Sequence, residues 1–393
     1  MNPIHKYIVF VVLIAGTLGC DSKSHLPSIN IVQQDTIKWQ SKEQCIIEYN
    51  DKTGNHTYNA QIKYRGGLSS RYNKHSFTLE LDKKHRLAGL PKEDDWILNA
   101  SYIDKTFMRH TISYDLYHQM NVNNVSAKSS YISLYINGQY KGLYILVEEI
   151  NASKVGLNKQ DNMSMLFKDP PLLYTTRIKP QEPDNYYQQK YPKITTADMT
   201  SYIESFKLFI FNSSDIDFDA GITDWVDIDN IIDWHLLLLL TYNGDGIMKN
   251  FYLYKKDSFT PFKIAIWDYD HSFGRDGDNE LNMMDRPLRI ERSILFVRLL
   301  NTENLNYKKL LSDRYHELRN NDVFSKENID HKLDQNHQII KDELDLNFAL
   351  WPVDSKWYYD ANDYNKEVQI IKNFVILRLN QLDKQFDFQQ KGN

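Results

Sequence analysis

Two rhythms of hydrophobic spacing divide the chain. From Ile29 to about Leu81, apolar and polar residues alternate in short runs, INIVQQ, QCIIEYN and FTLEL, separated by turn-forming stretches such as NDKTGN. A period of two suits a strand with one buried face, so this region predicts a small sheet. Beyond DDWILNA, Asp104 is placed to cap a helix over residues 105–120, whose apolar positions are Phe107, Met108, Ile112, Leu116 and Met120. YISLYING and QYKGLYILVEEI then predict two strands joined at Asn137-Gly138, a pair suited to a two-residue hairpin turn.

After a connector near Glu148 to Asn151 the pattern changes. Residues 157–200, rich in Pro, Asn, Gln and Tyr, predict an ordered loop or lid with no assignable chemistry. Helical spacing follows. Asp227 caps a helix through Ile231, Trp234, Leu237, Leu238 and Tyr242, which carries the chain straight to Asp245. Further helices are predicted around residues 295–319, 326–346 and 364–386. The last has Val368, Ile371, Val375, Leu379, Leu382 and Phe386 on one face. Strands, one helix and a final strand leading into a helical half is the element order of a two-lobed kinase. The predicted class is therefore α+β, with a small β-rich N-lobe (residues 28–150) and a larger helical C-lobe (residues 151–393).

Composition narrows the setting. The chain has 393 residues, 41% of them hydrophobic, with 26 Tyr, 18 Phe and 7 Trp, enough to build a large core. A net charge of -5 with no basic block argues against a nucleic-acid partner. Residues 1–19 have the form of a lipoprotein signal peptide: Lys6, then an apolar stretch from Tyr7 to Leu18, then Gly19 directly before Cys20. Lipidation of Cys20 would anchor the mature chain to a membrane outside the cytoplasm, with residues 20–27 as a polar tether. The other cysteine is Cys45, so no disulfide framework is available. The five-Leu run Leu236 to Leu240 is flanked by Asp and His and predicts no membrane span.

Two acidic patches carry the candidate chemistry. YNGDGIMKN places Asp245 five positions before Asn250, the spacing at which a kinase catalytic loop holds a proton-accepting Asp beside a metal-ligating Asn. Asp268 follows the apolar run FKIAI, where a second metal ligand is expected. Asp270 is either a further ligand or the cap of the following turn. NGDG is also a good turn sequence, so Asp245 and Asn250 gain meaning only together with Asp268. Lys74 follows a Gly/Ser turn, the place from which a small-lobe lysine reaches phosphates. The 105–120 helix offers it no Glu, leaving Glu80, Asp104 and Glu148 as possible partners. Arg109 either binds phosphate or anchors its helix to Asp94 or Asp95. His271, Arg275, Asp276, Asp278 and Asn279 read as a solvated polar loop, and the histidines show no zinc spacing.

Five ordered segments resemble the spore-coat protein H (CotH) kinases, a family of secreted atypical protein kinases. They are YRGGLSSRYNKHSFTLEL, LAGLPKEDDWILNASYIDKTFMRH, YINGQYKGLYILVEEI, WDYDHSFG and IKNFVILRLNQLD. The resemblance implies a kinase-like fold, ATP with Mg²⁺ or Mn²⁺, and phosphorylation of Ser or Thr in a cell-envelope or secreted protein. It implies Asp245 as the catalytic residue and Asn250, Asp268 and Asp270 as metal ligands. Nucleotide contacts would come from Arg65, Ser69, Ser70, Arg71 and Lys74, with Glu148 beside them. The chain departs from the family pattern at Gly67, Asn73 and His75, where Asn, Pro and Lys are usual. Two alternatives are adenylyl transfer on the same fold and a non-catalytic surface binding module.

Overall fold

The computed structural model describes residues 26–174, 186–275, 287–355 and 358–389. The expected signal peptide, Cys20, Asp276, Asp278 and Asn279 lie outside them. Strands β1 (Ser28–Val32), β2 (Glu43–Asp51), β3 (Gly54–Arg65), β4 (Ser76–His85) and β5 (Glu93–Asn99) precede helix α1 (Arg109–Met120). Strands β6 (Val125–Ser126), β7 (Ser129–Ile136) and β8 (Gln139–Glu148) follow it. All of these strands except β6 close into a barrel in the order β1-β2-β3-β4-β5-β8-β7.

The alternating pattern explains the barrel. Along β2, Cys45, Ile47 and Tyr49 point inward while Ile46 and Glu48 point out, so a one-residue slip would expose the whole buried set. Ile31, Ile62, Leu79, Trp96, Leu134 and Leu146 complete a fully buried interior. Each such side chain contributes roughly 1.5–3 kcal/mol of hydrophobic stabilisation. The β7–β8 turn has Asn137 at φ 49° and Gly138 at φ 76°, as its sequence predicts. The small sheet expected of a kinase-like N-lobe is thus a closed barrel, completed where β1 pairs in parallel with β7.

Helix α1 starts at Arg109, later than predicted. The Asp104 carboxylate accepts the backbone N–H of Thr106 at 3.1 Å and of Arg109 at 3.0 Å, and Phe107 at φ 60° breaks the helical path between them. Arg109 is an anchor. Its guanidinium meets Asp104 at 2.6 Å and Glu367 at 3.3 Å, and neither Asp94 nor Asp95. Arg275, expected in a solvated loop, is buried and joins the same network through Glu367 at 3.2 Å and through Asp360.

The rest of the chain builds a second sheet wrapped in helices. Its elements are β9 (Met165–Lys168), β10 (Gln189–Tyr191), α2 (Thr200–Asn212), α3 (Asp215–Trp225), α4 (Ile228–Thr241), β11 (Phe251–Lys255) and β12 (Lys263–Ile266). Helices α5 (Ile294–Leu299), α6 (Tyr307–Asn320), α7 (Lys326–Leu350) and α8 (Tyr364–Gln385) follow. The sheet order is β10-β9-β11-β12-β6. The segment read as a lid therefore supplies two of its strands, and the helix expected over residues 295–319 is two. Asp227 caps α4 as predicted, accepting the Asn230 N–H at 2.9 Å. Helix α7 lies close against β8: Gly142 has φ 110°, and a Cβ there would meet Asn347 Oδ1 at 2.7 Å. Among the described residues no helix is long and apolar enough to cross a membrane.

Candidate active site

The acidic residues singled out in the sequence meet because β11 and β12 are antiparallel neighbours. Phe251 stands opposite Ile266, so Asn250, just before β11, adjoins Trp267 and Asp268, just after β12. The Trp267 N–H donates to the Asn250 carbonyl at 2.9 Å, and Asn250 Nδ2 donates to the Asp268 carbonyl at 3.1 Å. Both Asn250 (φ 62°) and Asp268 (φ 59°) adopt the left-handed conformation, in which Asn and Asp are the best tolerated side chains after glycine. Asp268 therefore does not continue an extended strand to Asp270. Even so, the two carboxylates and His110 of α1 each offer a polar atom within 4.8 Å of the others.

Asp245 arrives from the other side. Helix α4 ends at Thr241 with Tyr242 in the left-handed conformation, and the turn that follows is fastened by Asn243 Oδ1 accepting the Gly246 N–H at 2.9 Å. A Cβ on Gly246 would strike Leu238 Cδ2 at 2.6 Å, so NGDG is a demanding turn as well as a source of a carboxylate. Asp245 Oδ2 pairs with Lys249 Nζ at 2.9 Å and lies 3.8 Å from His271 Nδ1. The other ring nitrogen of His271 is 3.8 Å from Asp270 Oδ1, so this imidazole stands between the two carboxylates.

These groups line one cleft of about 340 Å³, roofed by the loop after β3. Arg65 and Ser69 reach it, and Gly66 at φ 141° holds a backbone conformation that L side chains rarely adopt, with the Ser70 backbone nitrogen 3.2 Å from where a Cβ would stand. Ser70 and Arg71 do not line it. Ser70 instead closes the turn by donating to the Gly67 carbonyl at 2.7 Å, and Arg71 is exposed.

Two other predicted nucleotide contacts have different partners. Lys74 is buried and its ammonium donates to the Ala100 carbonyl at 2.9 Å, the Leu143 carbonyl at 2.5 Å and Asn347 Oδ1 at 3.0 Å. All three of its protons are used inside the protein. None of the acids considered as its partner pairs with it: Glu80 meets Lys42, Asp104 meets Arg109, and Glu148 meets Lys154. Glu148 is also buried at the end of β8, accepting the Lys128 N–H at 2.9 Å. Lys74 lines the cleft together with Arg65, Lys168 and Lys249, but its ammonium is engaged inside the protein.

Electrostatics set this cleft apart. Burial pushes the Asp268 carboxyl above the usual carboxylate range, the charge of Asp270 pushes it further, and His110, His271 and Arg65 pull it back. His110 Nδ1 accepts the Tyr269 N–H at 3.0 Å, so the neutral ring carries its proton on Nε2, 3.8 Å from Asp268 Oδ1. In that tautomer His110 is a hydrogen-bond donor beside the carboxylates and not a metal ligand. Mutual repulsion of two carboxylates is what a divalent cation relieves, and all-oxygen donors suit Mg²⁺ or Mn²⁺, so the residues fit such an ion.

Sequence reasoning missed Lys168, His110 and Lys249. Lys168 had the same cue as Asp268, a charged residue closing an apolar strand, hidden in a Pro-rich context. His110 had no cue, because its role depends on where α1 crosses the end of β12.

The barrel and the second sheet thus define a two-part α+β protein whose working cleft pairs a glycine-serine loop with carboxylates at strand ends. The chain belongs to the CotH kinase protein family, whose model matches residues 62–382, from within β3 to within α8. It is 25% identical over 256 residues to the inner spore coat protein H of Bacillus subtilis (strain 168), a match spanning 64% of this chain and 69% of that protein.

Proposed function

We propose that the protein is a metal-dependent kinase that transfers the γ-phosphoryl group of ATP to Ser or Thr hydroxyls of a cell-envelope or secreted protein. The observation that carries this reading is the convergence of Asp245, Asn250, Asp268 and Asp270 in one cleft beneath the Arg65–Ser69 loop. In this reading the barrel takes the place of a kinase small lobe and the helical half that of the large lobe. Membership of the family supports it, and a spore coat relative is consistent with work outside the cytoplasm on a chain tethered through Cys20.

Asp268, Asp270 and the side-chain oxygen of Asn250 would hold a Mg²⁺ or Mn²⁺ ion. When bound, the ion would neutralise phosphate charge and orient the γ-phosphoryl group. The chain's own residues do the rest. Asp245 accepts the proton of the attacking hydroxyl, and Lys249 holds that carboxylate in place. His110 and the Asn250 amide orient Asp268 from outside the ligand set. The roof loop and Trp267 exclude water from the reacting phosphate.

The test is incubation of residues 21–393 with Mn²⁺ or Mg²⁺ and ATP labelled at the α or the γ phosphate, with Asp245→Ala and Asp268→Ala as controls. Protein labelling from γ alone, lost in both variants, establishes a kinase. Labelling from α makes it an adenylyltransferase. No labelling from either position, across envelope extracts as acceptors, supports a binding module.

A further inference from the structure

Two cations approach a single indole in the cleft from opposite halves of the molecule. Arg65, the last residue of β3, holds its guanidinium carbon 5.3 Å from the Trp267 ring centroid. Lys168, the last residue of β9, holds its ammonium 5.7 Å from the same centroid and 5.7 Å from that of Tyr252. Both line the cleft beside Asp268 and Asn250. Neither makes an ion pair or a side-chain hydrogen bond with a described residue. The acid next to Lys168 is used elsewhere: Asp169 Oδ1 accepts the Phe251 N–H at 3.2 Å. Burial and the nearby charge of Arg65 lower the Lys168 pKa and the charges of Asp169 and Asp268 offset this only in part, so the protein holds these two cations together at a net electrostatic cost.

An indole face attracts one cation, yet two cations on one ring repel each other unless an anion lies between them. We propose that Arg65 and Lys168 form a clamp for the phosphate chain of the nucleotide, bridging the barrel and the second sheet and filling the role that Lys74 cannot, its protons being used internally. This deepens the kinase reading and rests on it for the identity of the ligand. Arg65 supplies planar, paired donors and Lys168 a compact charge, a combination suited to a polyphosphate. Because the two cations come from separate parts of the fold, the bound anion also ties those parts together.

The experiment is calorimetric titration of the mature chain with inorganic tripolyphosphate in EDTA, so that neither metal nor nucleobase contributes. Parallel titrations use Arg65→Met, Lys168→Met, the double variant, Lys168→Arg and the surface control Lys128→Met, each checked for folding by circular dichroism. The expected result is a tenfold or greater loss of affinity in each single Met variant. The double variant should lose less than the product of the two, Lys168→Arg should recover part of the loss, and Lys128→Met should match wild type. Binding that survives in both single variants overturns the clamp, as does a wild type that labels protein from ATP yet binds no tripolyphosphate. Tripolyphosphate binding lost in both variants supports the clamp even if no phosphoryl transfer is found, in which case the kinase reading alone fails.

Discussion

Lys74 Nζ lies 3.0 Å from Asn347 Oδ1, so a lysine just ahead of the barrel's fourth strand grips the last turn of α7. Lys74→Met would leave the carbonyls of Ala100 and Leu143 and the Asn347 amide short of a donor, and should cost about 3 kcal/mol in denaturant unfolding. Asn347→Leu should destabilise as well, since Asn347 Oδ1 also accepts the Leu143 N–H at 3.1 Å. At temperatures where the Lys74 variant stays folded, its KM for ATP should match wild type. A tenfold rise in KM with unchanged stability would instead return Lys74 to the phosphate site.

Mn²⁺ should raise the melting temperature of the wild-type chain, because a bound divalent cation stabilises only the folded state and relieves the repulsion between Asp268 and Asp270. Asp268→Asn should abolish that shift. In the absence of metal the same variant should melt no lower than wild type, since it removes one of two facing negative charges. Differential scanning fluorimetry across a Mn²⁺ series reads both effects.

Asp245→Asn keeps the shape of the turn and removes the proposed proton acceptor. Phosphoryl transfer should fall by about 10²–10⁴-fold, the usual contribution of a positioned general base. Nucleotide affinity, measured by calorimetry, should stay within about twofold of wild type. A variant with full activity would require a different base.

His235 is buried in α4, with Nδ1 3.1 Å from the Tyr307 hydroxyl and its ring against Phe296, and burial pulls its pKa down to about 3. Above pH 6.5 the ring is neutral whether the chain is folded or not, and nothing is lost. As pH falls below 6.5 the unfolded chain takes up a proton that the folded one refuses, so stability declines down to about pH 3. At pH 5 the loss from this group is about 2 kcal/mol. Asp95, pushed up to about 6 by burial and by Glu149, acts in the opposite direction, stabilising the folded state as pH falls from 6 towards 4. Urea unfolding of wild type and His235→Phe at pH 7 and pH 5 isolates the histidine, and the variant should lose about 2 kcal/mol less over that interval.

Local signals in the chain translated directly into local structure. The Asn137-Gly138 turn, the Asp227 cap and the apolar stripe of α8 each depend on residues within a few positions of one another, and each formed where the pattern placed it. What the pattern did not disclose depends on distant pairings. Barrel closure needs Ile29 beside Leu134, and the cleft needs the ends of β3, β9 and β12 brought together. Asp245, Asn250 and Asp268 were legible because their spacing follows a hairpin and the helix before it. The fate of Lys74 was not, because its acceptors lie at Ala100, Leu143 and Asn347.

The parallel pairing that closes the barrel has a mechanical side. Strand β1 is bonded along both edges, with Ile31 opposite Ile47 of β2 and Ile136 of β7. A pull on the chain ahead of Ser28, directed along the strand, loads both ladders in shear, so their hydrogen bonds share the force instead of opening in sequence. A tether joined at this point, as the proposed lipid anchor on Cys20 would be, would pass tension into the barrel wall without peeling the strand away.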